Sequence, residues 1–125
     1  MQVRDKFHSA LLAIREASSD VVSTEVGIID VGRRLDYRTA EQMKQRFKKF
    51  VAEGRRRHII DLTQLAVLDS NGLAGLISTL RAVRETGGCV DLVANTSHVT
   101  HILELTALTR LFKVHPSMKA ALGEG

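Results

Sequence analysis

The chain has no tryptophan, one proline and one cysteine in 125 residues, and aromatic residues make up only 4% of it. With so few rings, the core has to be built from aliphatic side chains. The lone Pro116 leaves almost the whole chain free for regular structure. A single Cys89 excludes an intramolecular disulfide, and its apolar neighbours predict a buried, inert thiol. No apolar run approaches the ~20 residues of a membrane-spanning helix. The N-terminus has no charged start leading into an apolar segment and a small-residue cleavage site. The expected location is cytoplasmic. What is present is a hydrophobic fraction of 44%, enough for the core of one compact domain.

The formal net charge is +4 and the sequence pI is about 9.6. Basic residues gather at Arg33-Arg34, from Lys44 to Lys49, and at Arg55-Arg56-Arg57. Such clusters attract nucleic acid or anionic membranes. No aromatic stacking platform is interleaved with them, which counts against single-stranded nucleic acid. They read as a solvated helix face and its following turn, and neither nucleic acid nor membrane is expected as a partner.

Apolar spacing divides the chain into alternating elements. "VGIIDVGRRLD" (26–36) reads as a strand ending in a turn. "YRTAEQMKQRFKKFVAEG" (37–54) reads as a helix, with Ala40, Met43, Phe47, Phe50 and Val51 on one face, Thr39 and Gln42 at capping-box spacing, and Gly54 as its stop. "RHIIDLTQLAVLD" (57–69) is apolar enough for an inner strand. A second helix covers 70–88, with Leu73, Leu76, Ile77, Leu80 and Val83 on one face and Gly87-Gly88 at its end. A strand (89–95), a helix (97–108), a short strand (111–116) and a short helix follow. Strand and helix in alternation imply an α/β domain with a mixed, mostly parallel sheet. That domain spans 20–125. Residues 1–19 form an N-terminal extension whose Val3, Phe7, Ala10, Leu11, Ile14 and Ala17 fit a helical stripe, able to cover the sheet or to meet a second copy of the chain. "SDVVSTEV" fits an edge strand pairing with 26–31.

Recognisable catalytic patterns are missing. There is no Gly-x-Ser-x-Gly elbow and no Gly-rich phosphate loop with Lys-Ser/Thr. His98, His101 and Glu104 share helical spacing without a cysteine, which fits a solvated face better than a metal site. Asp61 ends a strand with no acid partner and reads as a turn residue. The chain is therefore expected to be no enzyme, with no cofactor and no metal.

The distinctive stretch is "VLDSNGLAGL" (67–76), where an apolar run meets Asp69, Ser70 and Asn71 and turns at once into a helix. Asp69 or Ser70 serves as a helix cap. A helix N-terminus also accommodates a phosphate, so Ser70 is equally suited to be a modified hydroxyl.

Taken together, Asp61-Leu62, Asp69-Ser70-Asn71-Gly72-Leu73, Gly87-Gly88, "DLVAN" and the segment from Leu103 to Phe112 resemble the STAS domain, in particular the bacterial anti-sigma factor antagonists. "RRLDYRTAEQM" is similar to that family's upstream acidic segment and places Asp36 on its acidic position. The resemblance covers about residues 20 to 122. It departs in three ways: Asn71 stands for a second Ser/Thr, Gly32 lies four rather than three residues before Asp36, as a small bulge would allow, and the chain is basic where such antagonists are often acidic.

The resemblance implies a protein-binding switch in a partner-switching pathway. Ser70 would be the phosphoacceptor. Asp36 and Asp69 would flank it, Asn71 would stand beside it, Gly72 would let a partner's backbone approach, and Leu73 and Leu76 would add apolar contact. The implied partners are an anti-sigma factor that is also a serine kinase with a histidine-kinase-like ATP site, bound when Ser70 is unphosphorylated, and a metal-dependent serine phosphatase. The alternative within the family is an accessory or scaffold of a transporter or stress-sensing complex that acts on no sigma factor.

Overall fold

The computed structural model describes residues 26–123. The expected N-terminal stripe and the edge strand SDVVSTEV (19–26), except its last residue Val26, lie outside the described residues. Four strands form one sheet: β1 (Val26–Asp30), β3 (Arg57–Asp61), β5 (Cys89–Val93) and β6 (Lys113–His115), in the order β1-β3-β5-β6. All neighbouring pairs are parallel, with Ile28 opposite Ile59 and Ile59 opposite Asp91. β3 is thus an inner strand, as its continuous apolar run predicts. Each crossover carries a helix: α1 (Tyr37–Ala52), α2 (Ser70–Glu85), then α3 (Ser97–Leu105) with α4 (Leu108–Leu111). A short α5 (Met118–Ala121) closes the described chain. No helix among the described residues is long and apolar enough to cross a membrane.

Alternation along the strands sends side chains to two cores. Ile29, Ile60, Val90 and Leu92 meet Met43 and Phe47 of α1, Leu76, Leu80 and Val83 of α2, and Val99, Leu103 and Leu108 from α3 and α4. On the other face Ile59 and Val93 pack with Ala121 of α5. Both central strands are therefore covered on both sides, which is why polar His58 is also fully buried. It lies edge-on to Phe47, with ring centroids 5.2 Å apart, and 6.3 Å from Phe50.

Two long strands expected from the sequence are each broken. The 26–36 run stops at Asp30, whose Oδ1 accepts from Gly32 N–H at 2.9 Å. Gly32 then turns the chain with φ +78°, so the displaced glycine makes a turn rather than a bulge. The 57–69 run stops at Asp61, whose Oδ1 accepts from the Thr63 N–H and hydroxyl. The remnants, β2 (Arg34–Leu35) and β4 (Val67–Leu68), pair with each other as a separate parallel ribbon. The helix expected at 97–108 is likewise split, because Ala107 is left-handed with φ +62°.

Cys89 is exposed, contrary to its expected burial. It opens β5 on the face opposite Val90 and Leu92, at a strand end that no core cluster covers. The basic clusters also differ from a simple solvated face. Arg55 bonds Glu53 at 2.9 Å, caps the carbonyl of Val26 at 3.1 Å and lies over the Phe50 ring. Arg57 pairs with Asp91 at 3.5 Å and bonds the Ala121 carbonyl.

Candidate functional site

The β2–β4 ribbon delivers two helices side by side. Leu35 leads into Asp36, the N-cap of α1, and Leu68 into Asp69, the N-cap of α2. Because the ribbon is parallel, both helix N-termini lie at the same end of the domain, beyond the carboxyl ends of the strands. In open α/β sheets that end is where binding sites gather.

Asp69 accepts from the Gly72 N–H at 2.8 Å, satisfying one of the donors that open α2. Asp36 does the same for α1 through a reciprocal box: its Oδ1 accepts from Thr39 N–H at 3.1 Å, while Thr39 Oγ1 accepts from Asp36 N–H at 2.9 Å. The cap of α1 is therefore Asp36, not Thr39, and Thr39 occupies the third helical position. The sequence spacing Thr39–Gln42 matched the rule, but the chain turns three residues earlier. The hydrogen bond from Thr39 N–H, helped by Arg34 at 3.9 Å, holds the Asp36 carboxyl below the usual carboxylate range against some burial. Asp36 is thus an anion at neutral pH.

Gly72 locks the two turns together. A Cβ on Gly72 would stand 1.9 Å from the Leu35 carbonyl oxygen and 3.0 Å from the Asp36 nitrogen. The Asp69 N–H also reaches the Leu35 carbonyl, at 3.3 Å. Ser70, the first residue of α2, is exposed on this pinned turn, and Asn71 is exposed beside it.

Not every residue named from the sequence faces outward. Leu76 is 1% exposed and belongs to the main core, so it offers a partner no surface. Gly72 is buried, and the backbone it admits is the protein's own, that of Leu35 and Asp36. Leu73 is half-buried and keeps part of its side chain at the surface. Helical spacing puts Leu73 and Leu76 on the same stripe, and only their depth under α1 separates them.

Two surface residues at this end escaped the sequence reading. Tyr37, the first residue of α1, is 68% exposed, and Val67 of β4 is 39% exposed. Together with Leu73 they put apolar surface beside the Ser70 turn. The signal was a bulky residue at the first helical position, which periodicity alone treats as a boundary. His98, His101 and Glu104 are all exposed along α3. No group of three or more metal-ligating side chains occurs among the described residues.

The matching family model is that of the STAS domain, over residues 18–121. A Thermotoga neapolitana protein assigned by name to the anti-sigma factor antagonists is 27% identical over 101 residues, covering 80% of this chain and 89% of that one. The crystal structure of an anti-sigma factor antagonist from Mycobacterium paratuberculosis is similar with a TM-score of 0.68 and 27% identity, covering 79% of this chain and 84% of that one. The STAS domain of a SulP transporter from Vibrio cholerae shares the fold, with a TM-score of 0.68 at 19% identity over 78% of each chain. The parallel sheet, the paired helix caps and the Asp69-Ser70-Asn71-Gly72 turn thus fall within a match that spans most of the chain, and the protein belongs to the STAS-domain family.

Proposed function

We propose that this protein is an anti-sigma factor antagonist that works as a phosphorylation-controlled binding switch, with Ser70 as the phosphoacceptor. The observation that carries the reading is the placement of Ser70: an exposed hydroxyl on the first turn of α2, on a backbone held by Asp69 and by the Leu35 carbonyl. A kinase needs a hydroxyl that is accessible, and a switch needs one whose position is fixed. Both conditions are met here, and nothing in the turn requires catalysis by this chain.

The chemistry of the switch is local. Phosphate adds about −1.5 to −2 charge at pH 7. At a helix N-terminus that charge meets unpaired N–H groups and the positive end of the dipole, so the fold tolerates it. A partner docked across Tyr37, Val67 and Leu73 would meet the new charge at the edge of an apolar contact, beside Asp36 and Asp69. Binding is therefore lost on phosphorylation without a change of fold. The partner that fits is an anti-sigma factor with serine kinase activity, and a metal-dependent serine phosphatase would reset the switch. The site lies on a protein acting inside the cytoplasm, and its function is binding rather than turnover.

The test is the intact mass of the wild-type chain and of Ser70→Ala after incubation with ATP and lysate of the source cells. A phosphate-sized gain in the wild type alone supports the switch. A gain of equal size in Ser70→Ala moves the acceptor elsewhere and overturns the assignment.

A further inference from the structure

On its side toward α4, α2 presents Ile77, Arg81 and Arg84, at the i, i+4, i+7 spacing of one helix face. Across from them lie Leu108 and Leu111 of α4 and Phe112, with a hollow of about 360 Å3 between. A second hollow of about 280 Å3 continues it to Lys113, the first residue of the edge strand β6. The two share Arg84, Leu111 and Phe112, so they form one trough. Phe112, 8% exposed, is its floor, and Leu111, 60% exposed, stands on its rim. Leu105, which ends α3 just before the same corner, is 72% exposed. Tyr37 and Val67 make the apolar surface at the Ser70 end; Leu105 and Leu111 make a second one here.

The charge along this trough is mostly of one sign. Arg81, Arg84 and Lys113 are all exposed. The Arg84 guanidinium lies over the Phe112 ring, 5.9 Å from its centroid, which keeps that cation above the apolar floor. Two acids also line the trough. Asp91 is committed elsewhere: its Oδ2 is 3.0 Å from His115 Nε2 and 3.5 Å from Arg57. Glu85 is the other, and neither it nor the three cations form an ion pair among the described residues. Three cations thus face one uncommitted carboxylate around an apolar channel.

We propose that the trough between α2 and α4 docks an acidic amphipathic helix of a partner protein, its apolar side chains seated over Phe112 and Leu111 and its carboxylates on Arg81, Arg84 and Lys113. An amphipathic helix binds by laying its apolar face into such a channel, and the sign of the rim selects an acidic one. The trough is concave, which fits a ridge of side chains and not the flat face of a bilayer. The site lies at the far end of α2 from the switch. Ser70 opens that helix and Arg84 lies next to its end, about 21 Å away at 1.5 Å per residue. A partner at the Ser70 turn therefore leaves the trough open, and the chain can hold two proteins at once. Docking here does not depend on phosphorylation of Ser70.

The test is fluorescence anisotropy of the full chain with a labelled helical peptide of about 14 residues, two heptads, with leucine on one face and glutamate on the other. It should saturate at one peptide per chain, and a twin with lysine for glutamate should bind at least about tenfold more weakly. Arg81→Glu combined with Arg84→Glu should weaken the acidic peptide by at least about tenfold and favour the lysine twin. Lys48→Glu combined with Lys49→Glu makes the same change of charge at exposed positions of α1 and should leave the affinity within about twofold. Leu111→Ser should weaken the acidic peptide by about fivefold, with an unchanged circular dichroism spectrum. No saturation, equal binding of the twins, or equal losses in the two charge-reversed pairs would overturn the proposal. So would binding to phosphatidylglycerol vesicles in place of the peptide, lost in Leu111→Ser, which would give the surface to lipid. Dimerisation in gel filtration that Leu111→Ser abolishes would give it to a second copy of the chain and overturn the proposal equally.

Discussion

The carbonyl oxygen of Leu35 occupies the space that a side chain on Gly72 would need, 1.9 Å from an ideal Cβ. The turn that carries Ser70 and the turn that carries Asp36 are therefore one rigid unit, built from two distant parts of the chain.

Gly72→Ala should destabilise the domain. In an open helix the change gains up to about 1 kcal/mol in propensity. Here the obstacle is backbone on both sides, and forcing it apart costs about 1–3 kcal/mol or more, so the clash wins. Urea unfolding should show a lower midpoint, and the variant should also be phosphorylated more slowly because Ser70 is displaced. Gly54→Ala is the control: nothing lies within 4 Å of its Cβ, but its φ of +84° still costs roughly 1–2 kcal/mol. It should lose stability without losing phosphorylation.

Asp69→Ala removes the cap of α2 and should cost about 1 kcal/mol, read as a fall in the thermal midpoint. Asp69→Asn keeps an oxygen acceptor for the Gly72 N–H and should recover most of that loss. Equal losses in both variants would show that charge, not capping, is what Asp69 contributes.

Leu73 and Leu76 should separate under substitution. Leu76→Ala opens the main core and should cost about 2–5 kcal/mol of stability, with partner affinity changed only as far as folding is. Leu73→Ala should cost less stability and weaken the partner directly. Ser70→Asp should weaken the same complex by at least about 1 kcal/mol through charge placed at its edge, and unchanged affinity would count against docking at this surface.

His58 sets an acid limit. Burial between Phe47 and Phe50 lowers its pKa from the ordinary 6.5; the Arg55 backbone opposes this, and the Arg55 charge adds to it in smaller part. Below pH 6.5 the unfolded chain binds the proton first, so stability is full above that value and falls as pH drops toward the folded-state pKa. The slope for one such group is at most about 1.4 kcal/mol per pH unit. Unfolding midpoints measured between pH 8 and 5 should fall for the wild type and flatten in that window for His58→Leu.

Much of the architecture was already legible. The stripe Ala40, Met43 and Phe47 is buried as its spacing predicts, and so are Leu76, Leu80 and Val83. Gly54 and Gly87 take positive φ just past α1 and α2, where a stop was expected. These are local properties: a 3.6-residue period, a β-rich run and a glycine each act on their own neighbours. The breaks at Asp30 and Asp61 were missed because an apolar run cannot show where its hydrogen-bonding partner ends.

By itself, then, the sequence determined the alternation of strands and helices, the aliphatic core and the exposed Asp69-Ser70-Asn71 turn, because each follows from spacing and residue type. Only the tertiary structure decided that Asp36 caps a helix beside that turn, that Leu76 lies under α1 while Tyr37 and Val67 face outward, that Cys89 is open, and that Thr79 is left without a partner. Those outcomes depend on which backbone comes to lie against which, and the parallel pairing of β2 with β4 settles that between residues more than thirty positions apart.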